Sequence, residues 1–171
     1  HSKMRTLIAE ADINRRVHEL ANDIRRDHPD GVHLIGVLTG AFIFLADLGR
    51  AIGGDTTIDF IAVSSYGKGA TSSGQVQLLK DLDAPIEGRD VIIVEDIVDT
   101  GLTLTYLQEM LRARAPRRVR TACLLSKPSR RKVDVAVDYV GFSIEDHFVV
   151  GYGLDHAERH RVLTSIGVVE P

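Results

Sequence analysis

Apolar segments of strand length alternate along this chain with longer helical segments, and this order constrains the fold more than any other feature. Strands are predicted at residues 31–40, 57–66, 76–82, 89–97, 118–126, 137–140 and 148–150, and helices at residues 12–28, 41–52 and 103–115. Strands that alternate with helices of about ten or more residues are typical of βαβ units. We therefore expect an α/β fold, with a mainly parallel, Rossmann-like sheet flanked by helices.

The ends of these elements carry local signals. Asp12 precedes apolar residues at helical spacing and is the predicted N-cap of the first helix. Gly53 and Gly54 end the second helix, and Pro116 ends the third. The small and polar residues 67–74 are too hydrophilic to pack and are predicted to form a mobile loop.

Composition indicates one ordinary globular domain. The 171 residues are 44% hydrophobic and carry a net charge of −3, which gives the whole chain no attraction for nucleic acid or anionic membranes. Cys123 is the single cysteine and is expected to be a buried thiol, as suits a reducing compartment. No apolar run approaches the roughly 20 residues of a membrane span, and no signal peptide is evident, so a cytoplasmic location is expected. His1 to Lys3 precede Met4 and resemble an expression remnant, so the domain is expected to begin at residue 4.

Three carboxylates lie within five positions at the C-terminal end of the strongest predicted strand. Residues 91–104 read VIIVEDIVDTGLTL, which places Glu95, Asp96 and Asp99 immediately before a turn with Thr100, Gly101 and Thr103. In a mainly parallel sheet, ligands bind at the carboxyl ends of strands, and this turn lies at such an end. Residues 38–41, at the C-terminal end of the strand predicted at 31–40, lie at the same edge.

The turn at residues 95–103 predicts a ribose phosphate site. A strand, a tight turn and a helix aim backbone N–H groups at one point, where the helix dipole favours a phosphate without any lysine. Glu95 and Asp96 would repel that phosphate, but carboxylates accept hydrogen bonds from a vicinal diol or hold Mg²⁺. The alternative is a capped helix start with surface acids, and the residues alone do not decide between the two.

Other motifs indicate no further chemistry. No GxxxxGK[ST] motif occurs, and GYGLDH lacks the third glycine of a dinucleotide fingerprint. His156 and His160 are interpreted as solvated histidines of a helix. A basic cluster is interpreted as a solvated surface or subunit contact, which makes nucleic-acid binding the less favoured reading; it comprises Arg112, Arg114, Arg117, Arg118 and Arg120.

Residues 91–104 resemble the phosphoribosyl-diphosphate (PRPP) binding motif of type I phosphoribosyltransferases. Further segments resemble hypoxanthine-guanine phosphoribosyltransferases in the same order, namely VLTGAFIFLADL, VSSYG, LLSKPSRR and VGFSIEDHFVVGYGLDHAERHR. The resemblance covers residues 5–169. It implies a type I phosphoribosyltransferase fold with a core at about 30–125, a small hood from the N-terminal segment and about 127–171, and a flexible lid at about 65–79.

The resemblance implies roles on the ribose phosphate side of a site. Thr100, Gly101, Leu102 and Thr103 would hold the 5-phosphate, and Glu95 and Asp96 the ribose hydroxyls. The backbone of Leu38, Thr39 and Gly40 would face the diphosphate, with Arg161 on the same group, and the family often has a cis peptide here. Many relatives have lysine in place of Thr39, and some in place of Leu102, so greater reliance on Mg²⁺ and Arg161 is expected.

The resemblance also implies roles on the purine side. Phe148 would stack on the ring, Val149 would offer its backbone to the base, and Lys127 would donate to the 6-oxo group. Asp155, with Glu95 and Asp96, would hold Mg²⁺. Each residue has a plainer reading: Phe148 and Val149 as core strand residues, Lys127 as a surface lysine, and Asp155 as the cap of a following helix.

The implied reaction is transfer of 5-phosphoribosyl from PRPP to N9 of hypoxanthine or guanine, which gives IMP or GMP and diphosphate. Asp99 would act as the general base near purine N7, and the lid with Ser65 and Tyr66 would exclude water. The alternatives are a xanthine-preferring enzyme and a regulator that binds PRPP or nucleotide together with RNA. The resemblance implies a homodimer or homotetramer and no membrane partner.

Overall fold

The structure, a computed structural model, describes residues 3–65 and 76–170. The strands in this part of the chain are β1 (Lys3–Ile8), β2 (His33–Leu38), β3 (Thr57–Ser65), β4 (Val76–Lys80), β5 (Asp90–Val98), β6 (Arg118–Ser126), β7 (Tyr139–Ser143), β8 (Val149–Val150) and β9 (Ile166–Glu170). The helices are α1 (Glu10–Asp27), α2 (Phe42–Ile52) and α3 (Leu102–Arg112), with a short 3₁₀ helix at Pro128–Arg130.

The central sheet has the order β4-β3-β2-β5-β6-β7. Its strands run parallel except β4, which pairs antiparallel with β3 at the edge. β2 and β5 are almost continuously apolar because helices cover both faces of the sheet. Residues of α1 and α2 form the core on one face and residues of α3 on the other, which confirms the predicted α/β class.

A second, three-stranded antiparallel sheet has the order β1-β9-β8. Neither β1 nor β9 was predicted, although β8 corresponds to the strand predicted at 148–150. Lys3 begins β1 and pairs with Glu170, so the first strand starts one residue before the predicted start of the domain. In the central sheet, the strand predicted at 137–140 corresponds to β7, which begins at Tyr139 and ends at Ser143.

Several predicted boundaries need correction. The N-cap of α1 is Ala9, and Asp12 lies in the first turn, where its carboxylate pairs with Arg15 at 2.9 Å. The third helix ends at Arg112 rather than 115, because Ala115 adopts a left-handed φ of 57°. His156 and His160 do not lie in a helix, because left-handed residues occur there: His156 pairs with Arg159 in an isolated β-bridge, and His160 lies in a bend with a φ of 77°.

Cys123 is buried in β6, as expected. Within the described ranges, no helix is long and apolar enough to cross a lipid bilayer. Ser65 ends β3, whereas Tyr66 and the predicted loop at 67–74 lie outside the described residues.

Candidate active site

The turn between β5 and α3 is held by local hydrogen bonds. The Asp99 carboxylate accepts a hydrogen bond from the Thr100 amide at 2.5 Å, and the Thr100 hydroxyl accepts one from the Leu102 amide at 3.3 Å. Gly101 caps α3 with a left-handed φ of 87° and lies close to Val135, so a Cβ there would be 2.9 Å from that side chain. Glycine at this position therefore permits both the turn and its close packing.

A cleft of about 230 Å³ lies above this turn, at the carboxyl ends of β2 and β5. Its lining includes nearly all residues predicted for the sugar phosphates: Leu38, Thr39, Gly40, Glu95, Asp96, Asp99, Thr100, Gly101 and Thr103. Leu102 is described but does not line the cleft. The peptide bond between Leu38 and Thr39 is cis, as the family resemblance implied.

Of the two adjacent acids near the end of β5, Glu95 is buried and Asp96 is half-buried. Burial raises the pKa of Glu95 well above its usual range, and the charges of Asp96 and Asp99 raise it further. Burial also raises the pKa of Asp96, although hydrogen bonds from backbone amides and the charge of Arg161 oppose this effect. A nearby cation stabilises the charged form of carboxylates in such an environment. Carboxylate oxygens are also the ligands that a hard divalent ion prefers.

The donor set fits Mg²⁺ held partly by a substrate. Across residues 3–65 and 76–170, no three His, Cys, Asp or Glu side chains converge as a complete metal site. Mg²⁺ is commonly bound through one or two carboxylates, with waters and phosphate oxygens as the remaining ligands. Asp96 and Asp155 both line the cavity next to the phosphate turn and offer such carboxylates.

A second cavity, of about 600 Å³, adjoins the first. The two cavities share Gly40, Asp96, Ile97 and Asp99. The second cavity is lined by every residue predicted for the purine and by Arg161, whereas Leu38 and Thr39, also predicted for the diphosphate, line only the first; the purine set is Lys127, Phe148, Val149 and Asp155. Asp99 therefore lies at the junction between a phosphate-sized cleft and a cavity large enough for a planar base.

Lys127 is not a surface lysine, so the plainer reading was wrong. Its residue is only 9% exposed, and its amide donates to the Val98 carbonyl at 2.9 Å. Its ammonium donates to the His147 carbonyl at 2.7 Å and lies 3.3 Å from the Asp146 carboxylate. These contacts hold a positive charge at the wall of the cavity.

Phe148 and Val149 have different environments. Phe148 is 53% exposed in the cavity, so its reading as a core residue was wrong, and its ring centroid lies 5.0 Å from that of His156. Val149 is buried in β8, as a core residue would be, and also lines the cavity. The pair offers an accessible aromatic face beside a fixed strand backbone.

Asp155 and Arg161 belong to one loop. The Arg161 guanidinium donates to the Gly153 carbonyl at 2.7 Å and lies 3.5 Å from the Asp155 carboxylate. Asp155 accepts a hydrogen bond from the Glu158 amide at 2.8 Å. No helix follows Asp155 in the described chain, so its interpretation as a helix cap was wrong.

This loop packs against the β2–α2 loop and against α2. Gly153 has a φ of 102°, and its α-carbon lies against the Gly40 carbonyl so closely that a Cβ would overlap it. The neighbouring Tyr152 hydroxyl donates to the Asp47 carboxylate of α2 at 2.5 Å. The loop that follows β8 thus contacts both the β2–α2 loop and α2, beside Gly40, which lines both cavities.

Sequence reasoning missed five lining residues of the second cavity. They are Ile97, Arg130, Asp146, His147 and Leu154. The carboxylate of Asp146 lies between the cations of Lys127 and Arg130, at 3.3 and 3.7 Å. A signal was present, because these residues fall in the segments that resemble relatives, but it did not reveal which side chains face the cavity.

These features define a class of protein: an α/β fold with a strand–turn–helix motif at the carboxyl ends of a parallel sheet, two adjoining cavities and a small antiparallel sheet. The model of the phosphoribosyl transferase domain matches residues 7–157, and the chain belongs to this family. The family predicted from the sequence motifs is therefore confirmed.

The similarity to individual relatives extends over the full chain. The chain is 49% identical to the hypoxanthine-guanine phosphoribosyltransferase of Bacillus subtilis, over 100% of this chain and 96% of that protein. A solved hypoxanthine-guanine phosphoribosyltransferase from Bacillus anthracis is 48% identical, with a TM-score of 0.94 and 99% of each chain covered. The solved hypoxanthine phosphoribosyl transferase of Trypanosoma cruzi is 44% identical, with a TM-score of 0.93 and coverage of 98% of this chain and 91% of that one.

Proposed function

We propose that this protein is a purine salvage enzyme that transfers 5-phosphoribosyl from PRPP to N9 of hypoxanthine and guanine. The products are IMP or GMP and diphosphate. The observation that carries the proposal is the junction of two cavities at Asp96 and Asp99, with the phosphate turn on one side and the buried Lys127 on the other. A sugar phosphate and a purine bound in these cavities would meet at the acidic residues.

The first cavity would bind the ribose phosphate. Backbone amides at Thr100 to Thr103 and the start of α3 favour the 5-phosphate. Glu95 and Asp96 would accept hydrogen bonds from the ribose hydroxyls. Thr39 and Leu102 stand where relatives have lysine, and because Leu102 does not line the cleft, the lost positive charge matters more at Thr39.

The second cavity would bind the purine. The accessible ring of Phe148 offers a stacking face, and the Val149 backbone offers polar groups to the edge of the base. The Lys127 ammonium, with three donors and one strong partner in the His147 carbonyl, can donate to a 6-oxo group. An exocyclic amine at that position would place donor against donor, which disfavours adenine.

Asp99 would act as the general base. Its carboxylate borders both cavities and can take a proton from the purine as N9 attacks the ribose carbon and diphosphate departs. Positive character develops on the sugar in this reaction, and the buried carboxylates of Glu95 and Asp96 lie where they would stabilise it. Ser65 and Tyr66 remain the predicted lid residues that exclude water.

Asp155, Glu95 and Asp96 would hold Mg²⁺, and Arg161 would contact the diphosphate. The ion supplies charge neutralisation for the departing diphosphate. Arg161 is already ordered by the Gly153 carbonyl and by Asp155. A cytoplasmic location and assembly as a homodimer or homotetramer belong to the same proposal.

A substrate panel tests the proposal. Diphosphate release from PRPP is measured with Mg²⁺ and, separately, hypoxanthine, guanine, xanthine, adenine, uracil and orotate. We expect turnover with hypoxanthine and guanine and none when Mg²⁺ is removed by a chelator. A preference for xanthine would favour that alternative, while no turnover with any 6-oxopurine, together with salt-dependent RNA binding, would favour a regulator.

A further inference from the structure

Arg131 lies behind the purine cavity and lines neither of the two cavities. One terminal nitrogen of its guanidinium donates to the carbonyls of Val98 and Asp99, both at 3.0 Å, and lies 3.4 Å from the carbonyl of Lys127. The other donates to the Ser126 hydroxyl at 2.8 Å. The side chain thus contacts the backbone on both sides of the cavity wall.

These carbonyls lie where two strands separate. β5 and β6 pair in parallel register up to Val98 and Ser126, and one more bond joins the Lys127 amide to the Val98 carbonyl at 2.9 Å. Beyond it the chains diverge into the turn that carries Asp99 and the 3₁₀ helix that follows Lys127. The Arg131 guanidinium lies between the two diverging chains, where its side-chain hydrogen bonds take the place of the backbone hydrogen bonds between β5 and β6.

A guanidinium is suited to this contact, and an ammonium is not. Arginine presents five N–H donors in a planar fork and remains charged, so it can satisfy several acceptors held in a fixed arrangement. Lysine presents a single nitrogen on a flexible stem and cannot reach both strand ends in the same way.

We propose that Arg131 is a positioning residue that fixes Asp99 and Lys127 relative to each other. Asp99, as the general base, and Lys127, as the donor to the 6-oxo group, can then contact the same bound purine simultaneously. This inference rests on the proposed function, because it assigns Arg131 a role through those two side chains. It makes Arg131 a determinant of purine use rather than of phosphate binding.

The phosphate turn has separate support. The Thr100 carbonyl accepts hydrogen bonds from the amides of Lys132 at 2.9 Å and Val133 at 3.4 Å. These bonds do not involve the Arg131 side chain. Loss of the guanidinium should therefore disturb the purine side more than the PRPP side.

The test compares Arg131→Lys and Arg131→Gln with the wild type, by steady-state kinetics with hypoxanthine and PRPP. We expect kcat/KM for hypoxanthine to fall about 10²-fold, as small displacements of catalytic groups can cause, while KM for PRPP stays near the wild-type value. The lysine variant retains the charge and should not restore activity. Thermal unfolding of each variant shows whether it is folded at the assay temperature.

Arg16→Gln is the matched control. The Arg16 guanidinium also donates to two backbone carbonyls, those of Val140 at 2.7 Å and Gly141 at 2.9 Å, but lies outside both cavities. Its loss should lower stability and leave both KM values unchanged. An equal loss of hypoxanthine kcat/KM in this control would overturn the inference.

A double-mutant cycle with Asp99→Asn gives the decisive readout. If Arg131 acts through Asp99, its substitution should cost much less when Asp99 is already asparagine. Independent, additive losses would overturn the inference, as would full activity in Arg131→Lys. Failure of the proposed function would be seen separately, since the wild type itself would then not turn over hypoxanthine.

Discussion

The carboxylate of Asp96 occupies the space that a side chain at residue 40 would need, because a Cβ built on Gly40 would overlap its oxygen. This contact joins the loop that follows β2 to the C-terminal part of β5, at the boundary of the two cavities. Gly40→Ala should therefore displace Asp96 or the diphosphate loop. We expect kcat/KM for PRPP to fall about 10²-fold, as a displacement of about 1 Å can cause, measured by initial rates at saturating purine.

Gly49→Ala is the control for this substitution. A Cβ at Gly49 would meet the flexible end of Ile58 at 3.3 Å, away from both cavities. Because Gly49 lies within α2, alanine should change the free energy of unfolding by no more than about 1 kcal/mol and leave KM for PRPP unaltered. Wild-type kinetics in Gly40→Ala would contradict the packing argument.

Asp99→Asn tests the general base. Asparagine retains an oxygen that can accept the Thr100 amide, so the turn should persist, but it cannot take a proton. We expect kcat to fall by roughly 10²-fold or more, as removal of a positioned base usually does, with thermal stability close to that of the wild type. Asp134→Asn serves as the control, because Asp134 is an exposed acid in the segment between β6 and β7. An unchanged kcat in Asp99→Asn would refute the assigned role.

Phe148→Ala tests stacking on the base. Alanine replacement of an aromatic ring that stacks on a base costs about 1–3 kcal/mol, so KM for hypoxanthine should rise about tenfold or more. The free energy of unfolding should change little, because the ring is 53% exposed. Ile58→Ala removes a side chain of similar exposure, 46%, far from the cavity and should leave KM unchanged. A large loss of stability without a change in KM would instead place Phe148 in the core.

Asp90→Asn tests the network at the opposite edge of the sheet. The Arg117 guanidinium, at 2.7 Å, holds the pKa of the Asp90 carboxyl well below its usual range, against the opposing effect of burial, and His28 contributes at 2.9 Å. A carboxyl with a depressed folded pKa stabilises the protein above its unfolded pKa of 3.8 and loses that effect as the pH falls through the folded value. Urea denaturation should show wild type more stable than Asp90→Asn at pH 7, with a difference that shrinks below pH 3.8.

The control for Asp90 is an exposed acid. Asp83→Asn removes a carboxylate whose side chain is 83% exposed and which pairs with Lys80. It should change stability by no more than about 0.5 kcal/mol at any pH. A difference between wild type and Asp90→Asn that stays constant from pH 7 to pH 3 would show that the ion pair does not stabilise the fold.

The central sheet was predictable because its strands carry their own signal. β2 and β5 are apolar without alternation, which only burial on both faces explains, and an acid cluster at the end of such a strand must lie at the ligand edge. The turn from Asp99 to Gly101 was predictable for the same reason. Its residue types specify a backbone shape.

The small sheet was not predictable from local pattern. β1 is mostly exposed, β8 has two residues, and β1 pairs with β9 at the other end of the chain, as in the ion pair of Arg5 with Glu170 at 2.6 Å. The Phe148 carbonyl accepts a hydrogen bond from the Val169 amide of β9, so the position of Phe148 depends on residues distant in sequence. The local apolar pattern therefore suggested a buried residue where the side chain is exposed. Arg131 contacts backbone carbonyls, and such acceptors leave no trace in the sequence.

Glu95→Gln should show that this carboxyl is retained at a cost in stability. Burial, with the charges of Asp96 and Asp99, raises the pKa of Glu95. The contribution of this group to stability is therefore fully present below its unfolded pKa of 4.5 and is lost as the pH rises toward its folded pKa. In thermal unfolding without ligands, the Tm of Glu95→Gln should exceed that of the wild type at pH 8 and equal it near pH 4. The control Glu109→Gln changes an exposed acid and should have the wild-type Tm at both pH values. PRPP with Mg²⁺ should stabilise wild type more than Glu95→Gln, because only wild type offers the carboxylate. A wild type more stable than the variant at pH 8 without ligands would contradict this account.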